Sequence, residues 1–128
     1  MKASPQQATP VADRTARYAD MFAALGTECR LQILRLLLSA HPAGLVVGDI
    51  QAELGIPAST LSHHLERLKV EGLAVVRREG TFLRYSANTA VLEELLGFLF
   101  AECCSRSNAV NASAVVNLCI PRSKRRTS

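Results

Sequence analysis

Four polar side chains in the middle of the chain have the types and the spacing to contact nucleic acid. At about 100° per residue in a helix, Ser59 and His63 lie opposite a leucine stripe, with Ser62 and Arg67 on the flanks. Small hydroxyls near a helix start can approach base edges, and arginine can hold phosphate. The same pattern also fits an ordinary solvated face, so the neighbouring elements must decide between the two.

Those elements form a helix-turn-helix pattern. Leu61, Leu65 and Leu68 recur at helical spacing within a segment that has no glycine or proline, which predicts a helix over residues 58–70. Residues 49–54 predict a short helix before it, and Gly55 supplies the stop signal between the two. A short helix, a glycine-led turn and a second helix with a polar outer face are typical of this motif.

A basic β-hairpin is predicted directly after the second helix. Two β-prone runs in residues 73–86 flank Glu79 and Gly80, where glycine can supply the positive φ of a hairpin turn. Arg77 and Arg78 lie on one arm and Arg84 on the other. A helix-turn-helix followed by a basic hairpin is a winged helix, and this context favours DNA binding over a solvated surface.

The remaining segments predict a mainly α fold with a small β-hairpin, assembled as a homodimer. Residues 1–13 have no periodicity and are predicted to be a flexible arm; residues 14–104 form the winged helix-turn-helix and dimerisation domain, and residues 105–128 a C-terminal tail. A first helix runs from Thr15 to Gly26, and Thr27 can cap a second. The last helix, from Asn88, is apolar around most of its circumference. Pairing through the first and last helices would bury the apolar side chains that the core of one subunit cannot cover.

Composition narrows the class of protein. The 128 residues are 48% hydrophobic, enough for one core, and the net charge of +4 favours a polyanionic partner. We find no membrane-spanning run and no signal peptide, so a cytoplasmic protein is expected, and its four cysteines are expected to be thiols. We find no Ser-His-Asp set, paired carboxylates or phosphate loop, so an enzyme is not expected.

About half the chain resembles the ArsR/SmtB family of small bacterial metalloregulatory repressors. The likeness is carried by residues 25–34, 49–50 and 54–55, by Ser-Thr-Leu-Ser-His-His-Leu at 59–65, by Gly-Leu at 72–73 and by Arg-Arg-Glu-Gly at 77–80. It implies a dimeric winged-helix repressor that releases operator DNA when an inducer binds. One departure is Pro57-Ala58, where the family often has Ser-Gln. Eight DNA contacts are predicted: Ser59, Thr60, Ser62, His63, Arg67, Arg77, Arg78 and Arg84. His64 also matches a family position, but the helical wheel places it beside the leucine stripe, as a packing residue.

The resemblance also directs attention to the cysteines. Arsenic-sensing members carry Cys-Val-Cys before the recognition helix, but this chain has Val46, Val47 and Gly48 there, and its last helix lacks the His of the other common metal site. Some arsenic-responsive repressors have a vicinal cysteine pair at the end of the last helix, which Cys103 and Cys104 resemble. As(III) favours thiolate sulfur, so the predicted ligands are Cys103, Cys104 and Cys119. Cys29 is predicted to be a small core side chain.

The leading hypothesis is therefore a repressor of an arsenic-resistance operon, whose partners are double-stranded operator DNA, a second copy of the chain and arsenite. Sb(III) or a trivalent organoarsenical is an alternative inducer. Two further hypotheses remain: a thiol redox-responsive repressor of the same fold, and a winged helix that binds a protein instead of DNA.

Overall fold

The computed structural model describes the backbone of residues 11–106 and 114, and the side chains of residues 14–101 and 114. Five helices and three strands follow one another in this part of the chain. They are α1 (Val11–Leu25), α2 (Glu28–Ser39), β1 (Leu45–Val46), α3 (Val47–Leu54), α4 (Ala58–Val70), β2 (Ala74–Glu79), β3 (Phe82–Ala87) and α5 (Thr89–Arg106). The predicted mainly α winged helix-turn-helix is confirmed.

Side-chain caps set the starts of two helices. The Thr27 hydroxyl accepts a hydrogen bond from the Arg30 backbone N–H at 3.2 Å, which confirms the predicted cap of α2. The Asn88 side-chain oxygen accepts from the Val91 N–H at 3.3 Å and so caps α5. The start of α1 differs from the prediction, because the helix begins at Val11, within the predicted arm of residues 1–13. Their side chains carry no apolar periodicity, so the pattern could not reveal this first turn.

The helix-turn-helix is built from α3, a short turn and α4. Gly55 ends α3 in the left-handed conformation at φ +67°, and its N–H donates to the Gln51 carbonyl at 2.8 Å. Ile56 is buried in the turn, and α4 then runs over the predicted residues 58–70. The prediction for α3 began two residues late, since the chain passes from the extended backbone of Val46 straight into the helix.

The hairpin pairs β2 with β3, and β1 adds to the other edge of β3 in an antiparallel sheet of order β1-β3-β2. Arg77 lies opposite Arg84, and Glu79 lies opposite Phe82. The turn residues are therefore Gly80 and Thr81, one position later than predicted. Gly80 has φ +62°, the conformation that a glycine in the first central position of a type II′ turn supplies.

A second glycine allows β1 to reach the sheet. Gly44 has φ +78°, and a Cβ atom there would collide with the carbonyl oxygen of Tyr85 on β3. Only a residue without a side chain fits between the loop after α2 and this strand.

One hydrophobic core holds these elements together within the unit that ends at Leu95. Its largest fully buried side chains come from every helix of that unit and from the segment before β2: Met21, Ile33, Leu37, Ile50, Leu61, Leu65, Leu68, Leu73 and Leu95. From Leu96 onward the chain forms a second unit, in which the side chains of Leu96 and Leu99 are exposed. Across the residues described, we see no helix with the length and apolarity that a membrane span needs.

Candidate nucleic-acid interface

The outer face of α4 presents the polar side chains that the sequence predicted. Ser59, Thr60, Ser62 and His63 are all exposed. The opposite face is anchored by three leucines that are at most 1% exposed: Leu61, Leu65 and Leu68. Because the leucines fix the rotation of α4 about its axis, the hydroxyls and the imidazole are held toward solvent, where base edges could reach them.

The start of α4 is open to an anion. Pro57 occupies the N-cap position, no side chain among the described residues caps the helix, and the first turn has no acidic residue. The first N–H groups of a helix have no partner within it, and together with the helix dipole they favour a phosphate oxygen. The Pro57-Ala58 departure from the family pattern thus leaves the predicted helix start in place and the N–H groups uncapped.

Arg67 lies at the far end of α4 and is only loosely held. Its Nε is 3.8 Å from a carboxylate oxygen of Glu71, and it has no hydrogen-bond partner among the described residues. Nearby, Lys69 pairs with Glu66 at 3.4 Å. The Lys69–Glu66 pair is exposed and therefore weak, and the Arg67 side chain is 42% exposed as a whole although its Nε atom is buried, so both cations remain available to a polyanion.

The hairpin arginines fall on two different faces. Arg77 and Arg84 are directly opposite each other and share a face with Glu79, because side chains alternate along a strand. Arg78 lies on the other face, opposite Leu83, and makes no ion pair within the described part of the chain. Of the three predicted wing contacts, Arg78 is therefore the cation that no carboxylate of the described residues engages.

Glu79 engages the other two arginines. One carboxylate oxygen accepts from Arg77 Nη2 at 2.6 Å, and the other accepts from Arg84 Nε at 2.8 Å. The hydrogen bonds from Arg77 and then Arg84 lower the pKa of Glu79 below its ordinary value. Arg84 also donates to the Gly44 carbonyl at 3.2 Å. The geometry therefore assigns Arg84 a bracing role between the hairpin and the loop before β1, where the sequence predicted a DNA contact.

Two residues at the wing were missed by sequence reasoning. Glu79 was read only as part of the turn, although an acid amid three arginines signals a local counter-charge. Phe82 is the second. Phenylalanine is usually buried, but the Phe82 side chain is 62% exposed beside the hairpin turn. Strand alternation from the buried Tyr85 could have placed Phe82 on the outer face.

Behind α4, a buried cation connects three helices. Arg30 is only 9% exposed; its Nε donates to the Ala24 carbonyl at 2.5 Å, and its Nη1 lies 3.3 Å from His64 Nδ1. Burial, the charge of Arg30 and then that of His63 lower the pKa of His64. His64 therefore packs inward, as predicted, and has a polar partner that the helical wheel could not indicate.

The predicted thiol ligands lie beyond the side chains that the structure describes. Cys103 and Cys104 belong to the backbone span of α5, but their side chains lie outside the described residues, as does all of Cys119. Cys29 is a free thiol packed partly buried against the core, which confirms its predicted role. Among the described residues no group of three or more potential metal-binding side chains is found.

Comparison with known sequences relates this architecture to gene regulators. Residues 27–75 match the model of the family described as "Bacterial regulatory protein, arsR family". An HTH-type transcriptional regulator of Methanocaldococcus jannaschii, MJ1325, is 40% identical over 57% of this chain and 80% of its own length. ArsR2 of Halobacterium salinarum, a candidate arsenical resistance operon repressor, is 34% identical over 66% of this chain and 69% of its own. The repressor SdpR of Bacillus subtilis is 32% identical over 62% and 86%. These relatives are regulators, not enzymes.

Solved structures show the same fold. HlyU from Vibrio cholerae has a TM-score of 0.55 and 33% identity, covering 69% of this chain and 96% of that one. An ArsR-like regulator from Rhodococcus sp. RHA1 reaches a TM-score of 0.62 at 26% identity, covering 85% and 98%. The homodimeric winged helix-turn-helix DNA-binding domain from Mycobacterium bovis has a TM-score of 0.59 at 29% identity, covering 84% and 100%.

Proposed function

This chain belongs to the arsR family of bacterial regulatory proteins, and from that premise we propose that it is a homodimeric repressor that releases operator DNA when trivalent arsenic binds its cysteine thiolates. The observation that carries the DNA-binding part is the outer face of α4. There, an uncapped helix start and four exposed polar side chains lie on a helix whose rotation the core has fixed.

One α4 helix is short and contacts few base pairs, so a two-fold dimer, with one α4 in each half-site, would recognise a longer DNA sequence. Two copies of α4 would enter successive major grooves about 34 Å apart, and each wing would contact the flanking backbone. Apolar side chains that remain exposed on α1 and α5, Phe22, Leu96 and Leu99, are available for such an interface. The homodimeric relative from Mycobacterium bovis supports this assembly.

The arsenic response rests on residue chemistry and on one relative. Two adjacent thiols at the end of α5, with a third in the tail, provide the three sulfur ligands that a soft ion such as As(III) favours. ArsR2 of Halobacterium salinarum supports this inducer by its name, whereas the names of the repressor SdpR and the activator HlyU refer to no inducer. Inducer capture near the dimerisation helix would change the spacing of the two α4 helices. A shift from 1:99 to 99:1 requires differential binding of about 5.5 kcal/mol.

A mobility shift on the promoter upstream of its own gene tests the function directly. The protein should retard this duplex, and arsenite should release it. Replacing Cys103 and Cys104 together with Ser should leave operator binding intact and abolish release, whereas the matched variant Cys29→Ser should respond like the wild type. Normal release by the double variant would show that these thiols are not the sensor.

Two alternatives are separated by the same assay. Cys119→Ser should abolish release by a three-sulfur ion such as arsenite or antimonite, but leave the response to a two-thiol organoarsenical or to oxidation. Release by peroxide and not by arsenite would favour the redox repressor. HlyU from Vibrio cholerae, at 33% identity, has been solved in a reduced form, which supports testing this alternative. A winged helix that binds protein would fail to retard any duplex.

A further inference from the structure

We propose that Glu79 is a built-in competitor of DNA phosphate for Arg77, and so limits the contribution of the wing to DNA affinity. The proposal rests on the proposed DNA-binding function. It concerns the one acidic residue among the three arginines of the hairpin, and it assigns that residue a role opposite in sign to theirs.

The strand register brings the three groups together. Arg77 and Arg84 are directly opposite neighbours, and two like charges in such a cross-strand pair repel. Glu79 is two residues beyond Arg77 on the same face, so its carboxylate reaches both guanidinium groups. Each carboxylate oxygen serves one arginine, and two positive charges on this face are reduced to a net of one.

The two arginines differ in how firmly they are held. The Arg84 side chain is 28% exposed and has a second acceptor, the Gly44 carbonyl. The Arg77 side chain is 62% exposed, and within the described part of the chain Glu79 is the partner its ion pair records. Because an exposed ion pair is readily exchanged, Arg77 is the member that a phosphate could capture. Arg84 remains as the brace.

Exchange has an electrostatic cost that the wing cannot avoid. When a phosphate takes Arg77, the Glu79 carboxylate keeps Arg84 as a partner but stays within a few ångströms of a polyanion and repels it. Phosphate contacts carry no sequence information, so this restraint should weaken operator and random duplex by the same factor. Glu79 would thereby limit how much protein is held on the large excess of non-operator DNA.

The test is Glu79→Gln, measured by fluorescence anisotropy with the operator duplex and with a random duplex from 0.05 to 0.5 M salt. Freeing one phosphate contact should steepen the slope of log affinity against log salt by about 0.9 per subunit. For lines that meet at 1 M salt, this corresponds to a gain of roughly eightfold per subunit at 0.1 M salt, equal for both duplexes. Glu93→Gln removes the same charge from an exposed position on α5 and is the matched control.

A double variant separates competition from simple loss of charge. Compared with Arg77→Gln alone, Arg77→Gln/Glu79→Gln should gain much less affinity than Glu79→Gln gains over the wild type, because the cation that Glu79 withholds is gone. Thermal unfolding checks that each variant folds, and Glu79→Thr, which suits a strand, repeats the measurement if Gln does not. An unchanged slope for Glu79→Gln, or an equal gain with and without Arg77, would overturn the proposal. Loss of salt-dependent binding by the wild type would instead refute the proposed function.

Discussion

Arg30 and His64 show how single side chains can fix the position of α4, the helix with the exposed polar face. Arginine stays protonated in proteins, so its Nη1, 3.3 Å from His64 Nδ1, must donate, and His64 must accept as a neutral ring. Through the Ala24 carbonyl the same guanidinium holds the end of α1. A proton on His64 would place two cations in contact behind α4.

This contact predicts a loss of stability in mild acid. Burial, then Arg30, lower the pKa of His64 in the folded protein, whereas the unfolded chain keeps the ordinary value of 6.5. Between the two values the unfolded state binds more protons, so the contribution of His64 to the free energy of unfolding should fall as the pH drops below about 6.5.

Urea unfolding at pH 7.5 and 5.5 measures this loss. His64→Gln, which cannot be protonated, should lose less stability between the two values than the wild type. The matched variant His41→Gln alters an exposed histidine after α2 and should follow the wild type. Equal losses for wild type and His64→Gln would contradict the assignment.

Among the helices and strands, the sequence predicted those features that depend on local signals such as glycine and proline positions. The bounds of α4 were predictable because Gly55 and Pro57 precede it and Gly72 follows it. The arginine pairing in the hairpin was not, since it depends on strand register, which a one-residue shift of the turn changes. Arg30 was also beyond prediction, because arginine is rarely buried and its partners are a backbone carbonyl and a residue 34 positions away.

Because Gly44 allows β1 to pair closely with β3, we expect that this glycine cannot be replaced without loss of stability. Gly44→Ala would place a methyl group against the Tyr85 carbonyl in a left-handed backbone, and the conformation alone costs about 1–2 kcal/mol. Urea unfolding should show at least this loss. The control Gly48→Ala adds a methyl group to an open position in α3 and should be neutral or stabilise by up to about 1 kcal/mol. Equal stability of Gly44→Ala and the wild type would show that β1 does not need this close approach.

The proposed mode of DNA binding requires two subunits, because each α4 helix reads one half-site. Leu96 and Leu99 are 47% and 53% exposed on α5, and apolar side chains that are exposed together are typical of an interaction surface. The proposed dimer would bury it, and would also couple the cysteines at the end of α5 to the distance between two α4 helices. The composition of α5 predicted a pairing helix, but periodicity does not reveal the pairing geometry.

Leu99→Glu should therefore produce a monomer. A buried charge at the interface is costly, so sedimentation should show a single-subunit mass, and operator affinity should fall at least tenfold because one half-site is read alone. Ala90→Glu introduces the same charge at an exposed position in the first turn of α5 and should remain dimeric. A Leu99→Glu protein that sediments as a dimer would move the interface elsewhere.

The most direct measurement of DNA binding by α4 and the wing is the salt dependence of affinity for the operator duplex, compared between the wild type and Arg78→Gln. Log affinity should fall linearly with log salt, and losing one phosphate contact in each subunit should flatten the slope by about 1.8 per dimer. Arg35→Gln, which removes an exposed cation from α2, should keep the wild-type slope. Affinity that does not change with salt, or equal slopes for wild type and Arg78→Gln, would contradict this interface.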